Sequence, residues 1–554
     1  MSDRRTKNTF SFAIISLLSL GLLAGCNLMP PQVTASPTPT QPGFGPSSPT
    51  PSLPNTPTPT PSTITLWISP AVPEELRDEL LALNQVEGRT IEVVSHADSA
   101  RVRAEPDAET SLATWVYALV APFPTVDDNL GFETMRTVWI GDAPGNILAS
   151  AEDIEALDTL LGQHHTDAVT TMEEDSLIDQ AWEQREARAI VPFEALEPRW
   201  KVLTVDGMSP VHMGFTLDDY ALAVRFGLSG EADAVDAFQQ ALNWPASNLD
   251  PERMTVLVMT GTTGLTRGIA YKMDVHGVRY PANLIGDWLR EADFTHVCNE
   301  VPFTESCPPP DPNQSSLRFC AHPRHVPLLE EIDVDLIELT SNHINDMGTE
   351  PLLASLALFR ERGWQYFGGG EDLHDAFEPL LIEHNGNRLA FLGCNYDGPY
   401  WAWAGENRPG AAPCDMQVLL PEVARLSQEG YLVIFAFHWE EDELYYPLPE
   451  MTGGFRQPAK AGAVIVSGSQ AHQPMGFEFY NGALIHYGLG NLFFDQMWAL
   501  EVRQEFIDRH VFYDGRHLST VLMTAMLEDA SQPRPMTPGE RAAFLSLIFD
   551  ASGW

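Results

Sequence analysis

An α/β fold is predicted for the folded part of this chain, on three observations. Strand-like apolar runs alternate with amphipathic helical runs from Ile64 onward, the pattern of layered helix-and-sheet domains. From Met254 onward, seven apolar runs each hand over to a polar or glycine-rich turn. A charge-free stretch dense in Pro, Thr and Ser separates all of this from the N-terminus.

The N-terminus reads as an export signal. Arg4, Arg5 and Lys7 precede the apolar run "SFAIISLLSLGLLA", and "LAGC" closes it. That run of about 14 residues is too short to span a bilayer, which takes about 20. Ending on Leu23-Ala24-Gly25-Cys26, residues 1–26 resemble a bacterial lipoprotein signal peptide. The resemblance implies lipidation of Cys26, palmitate included, and a protein anchored through that lipid to the cell membrane on its extracytoplasmic face. No charged residue occurs between Asn27 and Pro73. Residues 27–63 are too polar and proline-rich to bury a core, and they form an extended linker reaching about 100 Å at roughly 3 Å per residue.

The chain has 554 residues and a formal net charge of -44, from 76 acidic and 32 basic side chains. Such a surface repels phosphate backbones, which excludes nucleic acid as a partner. Export permits disulfides. Beyond Cys26 the cysteines are Cys298, Cys307, Cys320, Cys394 and Cys414. Pairing Cys307 with Cys320 closes a short loop around "PPPDPNQSS", and pairing Cys394 with Cys414 brackets an aromatic, glycine-rich segment. Each such staple contributes about 3 kcal/mol, and Cys298 is left over; spacing alone leaves other connectivities open.

Two folded regions follow, 64–245 and 250–554. In the first, "TITLWIS" reads as a strand, "PEELRDELLALNQ" as an amphipathic helix and "RTIEVVSH" as a second strand. Its segments "YALVAPFPTVDDNLGFETMRTVWIGD" and "AIVPFEALEPRWKVLTVDGMSP" resemble parts of periplasmic solute-binding proteins, which implies a smaller α/β solute-binding-like domain and a small solute as its ligand.

In the second region, the runs "MTVLVMT", "FTHVC", "VDLIELT", "RLAFLGC", "YLVIFAF", "AGAVIVSG" and "ALIHYGL" are followed by polar turns. Ligands of open α/β sheets bind beyond the carboxyl ends of strands. These turns would therefore gather Asn299, Glu300, Asn342, His343, His438, Gln470 and His472 around one crevice. A lone histidine at a strand end is usually a hydrogen-bonded structural residue; it is the set that points to a site.

The blocks "SNHINDMG", "HWEEDELYYPLP", "GSQAHQP" and "YGLGNLFFDQ" resemble, in order and spacing, those of the CapA family of poly-γ-glutamate capsule biosynthesis. The likeness extends from Met254 to Gln496. It implies a four-layer α/β/β/α sandwich of metallophosphatase type, whose ancestral site holds two divalent metals. Carried over by position, Glu300, Asn342, His438 and His472 are metal ligands, His343 is the catalytic histidine, and Asp346 orients it. Carboxylate and amide oxygens with imidazole suit Mn, Fe or Zn. Two ligand positions depart from the family. Thr262 stands where an aspartate is expected and Gln470 where a histidine is expected, so one divalent ion or none is expected.

Two readings of function follow. One is an exported, lipid-anchored protein of capsule or poly-γ-glutamate-like polymer biosynthesis, a metal-dependent hydrolase with a partly degenerate site. The alternative is a non-catalytic surface lipoprotein that binds a small solute or an anionic extracellular polymer.

Overall fold

The computed structural model describes residues 63–554; the expected signal peptide, Cys26 and the linker up to residue 62 lie outside the described residues. A ten-stranded sheet carries the first region. At one end, Ile64–Ile68 lies between Arg89–Val93 and Val102–Pro106 and runs parallel to both. The helix Glu74–Ala82 starts behind Pro73 with Glu74 and Glu75 in its first turn, where the helix dipole favours negative charge, and it buries Leu76 and Leu80. At the other end, Ile147–Ser150 lies between Val169–Met172 and Arg188–Pro192, again parallel. Two antiparallel strands, Thr110–Pro122 and Ala223–Gly230, join these halves. The first of them is buried continuously from Trp115 to Pro122, as its apolar run requires.

The second region is built on two sheets. Met254–Thr260, Phe294–Asn299, Val334–Glu338 and Gln365–Phe367 run parallel in one. Asn387–Asn395, Leu432–His438, Ala463–Ser469 and Ala483–His486 run parallel in the other. Leu257, Met259, Leu336 and Phe367 of the first sheet pack against Leu389, Phe391, Ile434 and Ile465 of the second. The helices Arg267–His276 and Thr349–Arg362 cover the outer face of the first sheet with Ile269, Met273, Leu352, Leu356 and Phe359. Met416–Gln428 and Pro449–Ala461 cover the second with Leu419, Val423, Leu426, Met451 and Phe455. Each such buried side chain contributes about 1.5–3 kcal/mol. The result is four layers, α/β/β/α, as the sequence predicts.

One long hairpin, Gln504–Tyr513 with Arg516–Glu528, extends the first sheet by pairing antiparallel to Met254–Thr260. Its first strand is buried along its whole length although it carries Glu505, Asp508, Arg509 and His510. Val511, Tyr513 and Leu518 of this hairpin join Met254 and Val256 in the core of the first region, so the two regions share apolar packing. A polar tie crosses the same seam: Arg541 of the second region pairs with Asp128 of the first, which also holds Lys201. The C-terminal helix Pro538–Ala551 opens on a capping box between Thr537 and Glu540. Among the described residues, no helix is long and apolar enough to cross a membrane.

Candidate functional site

The carboxyl ends of a parallel strand from each sheet meet where Asn342 contacts His438, and the turns around that contact supply the candidate side chains. After Phe294–Asn299, the Asn299 amide donates to the Val301 carbonyl at 2.9 Å and closes the turn. Glu300 follows, fully buried, with its backbone N–H on the Thr263 carbonyl at 2.8 Å. Neither of its carboxylate oxygens has a hydrogen-bond partner. Burial pushes this carboxyl up to about 7, against the opposing pull of the His343 charge.

The turn after Val334–Glu338 is pinned by Ser341, whose hydroxyl donates to the Glu300 carbonyl at 3.0 Å and accepts from the His343 N–H at 3.1 Å. Asn342 meets His438 there, with its backbone N–H and its Oδ1 both 3.3 Å from His438 Nε2. His438 ends the strand Leu432–His438 and is completely buried, with Nδ1 3.1 Å from Ser469 Oγ. Burial, then the charges of His472 and His343, hold its pKa well below the ordinary value, so the ring is neutral. If Nδ1–H donates to Ser469, the Nε2 lone pair faces the Asn342 oxygen. That lone pair also accepts the Asn342 backbone N–H, which satisfies it without a cation.

His472 is arranged similarly. Its Nδ1 lies 2.9 Å from Asn491 Oδ1 and its ring stacks on Phe494, centroids 4.7 Å apart. Burial lowers its pKa to about 4, so it too is neutral, with Nε2 left as acceptor. Gln470 and His472 both adopt left-handed backbone conformations, φ 85° and 55°. Strain of that kind concentrates at functional turns. The buried Gln470 Oε1 and Thr262 Oγ1 are unpartnered, as is Asp442 Oδ2 in the turn after His438.

His343 is half-buried against Phe319, ring centroids 4.6 Å apart, with Nδ1 2.7 Å from Asp346 Oδ2. Burial alone would lower its pKa; the Asp346 hydrogen bond and the charge of Glu300 outweigh it and raise the pKa. The structure thus brings Asn342, His438 and Gln470 together directly. Glu300 and His472 reach His343 through their fields, and Asp346 reaches it by contact.

Sequence reasoning gave no role to several participants, although it marked Arg267 as keeping its place in the family-like first turn. Ser469 and Asn491 orient the two neutral imidazoles. Arg267, itself at φ 44°, pairs with Asp495 and lays its guanidinium over Phe319 and Phe494, 4.8 and 5.0 Å from the ring centroids. Only the side-chain chemistry of these residues, without periodicity, could have suggested those roles.

Cys307 is bonded to Cys320 and Cys394 to Cys414, while Cys298 is free and buried. The second bridge holds a loop whose Trp403 Nε1 donates to Asn395 Oδ1 at 2.8 Å, leaving Tyr400 and Trp401 exposed. Asn345 ties that loop to the His343 turn through the Trp401 and Pro409 carbonyls.

The donors available are one buried carboxylate, two neutral imidazoles and two amide oxygens. Buried polar atoms without partners each cost about 1–3 kcal/mol, a cost that one divalent cation would relieve if these side chains closed on it. They do not fit a pair, because Thr262 cannot bridge two ions as a carboxylate would. Among the described residues, no group of three or more His, Cys, Asp or Glu side chains is gathered as a metal site, so the amides of Asn342 and Gln470 would have to complete any coordination.

Residues 256–496 match the family model described as bacterial capsule synthesis protein PGA_cap. The chain is 24% identical over 313 residues to the capsule biosynthesis protein CapA of Bacillus anthracis, covering 56% of this chain and 76% of that one. It is 28% identical over 192 residues to the PGA biosynthesis protein CapA of Bacillus subtilis, covering 34% of this chain and 50% of that protein, about half its length. Among solved structures, a 5'-nucleotidase precursor from Thermus thermophilus overlaps 54% of this chain and 58% of its own, at 11% identity and TM-score 0.29. An ABC-type phosphate transport receptor from Vibrio cholerae overlaps 33% of this chain and 93% of its own, at 12% identity and TM-score 0.27. Overlaps at these scores carry no functional reading.

Proposed function

We propose, on the premise that this chain belongs through residues 256–496 to the PGA_cap family of bacterial capsule synthesis proteins, that it serves the biosynthesis of a capsule or poly-γ-glutamate-like polymer and hydrolyses a bond in an anionic extracellular substrate. The observation that carries the hydrolytic reading is the set of buried, partnerless acceptors beside an imidazole fixed by a carboxylate. Glu300, Asn342, His438 and His472 would have to draw closer than they stand in this structure to hold one divalent ion, Mn, Fe or Zn. Such an ion supplies a water that is nucleophilic at neutral pH. Asp346 fixes the His343 tautomer with the proton on Nδ1, and its charge favours the imidazolium. His343 then gives its Nε2 proton to the departing oxygen or nitrogen as the phosphoester or amide bond breaks. The lipid on Cys26 and the linker would hold this site outside the membrane, on the extracytoplasmic face.

Elemental analysis of the purified full chain tests the reading. We expect about one transition-metal ion per chain, lost in an Asn342→Ala, His472→Ala double variant. Metal-free protein that gains no thermal stability from added Mn or Zn overturns it.

A second reading, a non-catalytic lipoprotein that binds a polymer or small solute, is favoured by Thr262 and Gln470 at the two substituted positions. It predicts binding of the polymer without turnover in metal-loaded protein. For the anchor, a Cys26→Ser variant should leave the membrane fraction; retention there rejects lipidation.

A further inference from the structure

Beside the crevice lies a cavity of about 480 Å³ roofed by the Cys307–Cys320 loop. Its charged wall consists of Arg267, Arg318, Arg324, His322 and His325, with Asp311 as the one acidic side chain. In a chain where acidic residues outnumber basic ones 76 to 32, a wall with three arginines to one aspartate inverts the prevailing charge. The carboxylates that pair with these cations are not part of the lining. Asp274 binds Arg324 at 2.9 Å and His325 at 2.9 Å, and Asp495 binds Arg267. Glu305, the partner of His322 at 3.3 Å, is largely exposed.

Three polar groups on this wall are incompletely used. Arg318 spends Nε and Nη2 on the Asp346 carbonyl, at 3.0 and 2.7 Å, and pairs with no carboxylate among the described residues. His325 is 2% exposed and its Nδ1 has no partner. Arg267 Nε is likewise buried without one. The lining also includes the apolar Pro308, Pro309 and Leu265. The cavity also touches the crevice. Arg267 lies over Phe319, the ring that packs on His343, and the Phe319 N–H donates to Asp346 at 2.8 Å.

We propose that this cavity is a substrate subsite that binds a carboxylate-bearing, aliphatic-backboned segment of the polymer while a neighbouring bond lies at His343. Guanidinium forks match carboxylates, and the proline lining matches methylene backbone; a bare inorganic anion would leave that lining without contact. A volume of about 480 Å³ is within the range of small-ligand sites, enough for a short segment rather than a whole chain. The inference rests on the reading that the crevice acts on an anionic polymer, and it assigns the recognition of that polymer to Arg318, with Arg324, whose fork is held by Asp274, adding positive charge beside it.

The test is calorimetric titration of the full chain with a short γ-linked oligoglutamate, with inorganic phosphate as competitor, on the wild type, Arg318→Glu, Arg318→Gln/Arg324→Gln and His343→Ala. We expect oligoglutamate binding that weakens with added salt and falls by about tenfold or more in both arginine variants. Binding should persist in His343→Ala, and phosphate should not displace the oligomer. Arg318 is exposed and bonded only to a carbonyl, so its single variant keeps the test open should the double variant not fold. Equal affinity in Arg318→Glu, no binding to the wild type, or displacement by phosphate overturns the subsite. Binding that depends on the arginines without any turnover leaves the subsite standing and rejects the hydrolase instead.

Discussion

His343 Nδ1 lies 2.7 Å from Asp346 Oδ2, and the same carboxylate oxygen accepts the Phe319 N–H at 2.8 Å. One aspartate therefore fixes both the imidazole and the start of the chain segment that ends the Cys307–Cys320 loop. An Asp346→Asn variant keeps an acceptor there and loses the charge. The His343 pKa, raised in the parent, should fall, because burial then acts with less opposition. Histidine ring NMR across a pH titration reads this directly. For an active hydrolase, turnover should fall by about 10²-fold or more with little change in KM. An unchanged His343 titration would show that Asp346 serves the loop alone.

Gln470 offers a gain-of-function test. Its side-chain oxygen is buried and unpartnered, and its φ of 85° resembles that of His472, so a histidine is tolerated in the same backbone conformation. Gln470→His adds an imidazole to the set formed by Asn342, His438 and His472. Affinity for Zn or Mn should rise by about tenfold or more, and the melting temperature in the presence of metal should rise with it. Isothermal titration and thermal unfolding with and without metal check both. A variant that binds metal no better would place Gln470 outside the coordination sphere.

The layered fold was legible because its parallel strands are continuous apolar runs closed by polar turns, as "YLVIFAF" before His438 illustrates. The strand Gln504–Tyr513 was not. It carries buried charges that find partners from other elements: Asp508 binds His486 at 2.5 Å, and Arg509 donates to the Trp288 carbonyl at 3.2 Å. No local pattern announces such pairs, since each partner is distant in sequence. Glu338 shows the same limit inside a strand that was legible, because its carboxylate is buried against His296 at 3.1 Å. In the crevice, residue types at strand ends pointed to Asn342, His343, His438 and His472. Ser469, Asn491 and Arg267 act by orienting others, and only three-dimensional contact reveals that.

The Cys394–Cys414 bridge closes a span of 20 residues. Replacing both cysteines by alanine should lower stability by about 3 kcal/mol through the freed unfolded chain. The loss should be felt locally too, because the bridge anchors the loop bearing Tyr400, Trp401 and Trp403. Hydrogen exchange should accelerate at Ala402–Ala412 well before the sheet strands respond. Uniform exchange across the region, with no local effect, would mean that Asn395 and Asn345 hold the loop without the bridge.

In the first region, Glu194 is largely buried, with Trp115 Nε1 donating to one oxygen at 3.0 Å and Asn248 Nδ2 to the other at 2.6 Å. Burial nevertheless pushes its pKa from an ordinary 4.5 up to about 7, more than these donors lower it. A carboxyl with a raised folded-state pKa binds more protons folded than unfolded between those two values. Its contribution to stability is complete below about 4.5 and falls as pH rises to about 7, then stays level. Relative to Glu194→Gln, the wild type should therefore lose about 2–3 kcal/mol across that interval. Denaturant unfolding of both proteins at pH 4.5 and pH 8 measures the difference. A gap between them that does not widen with pH would show that the Trp115 and Asn248 hydrogen bonds compensate the burial of the charge.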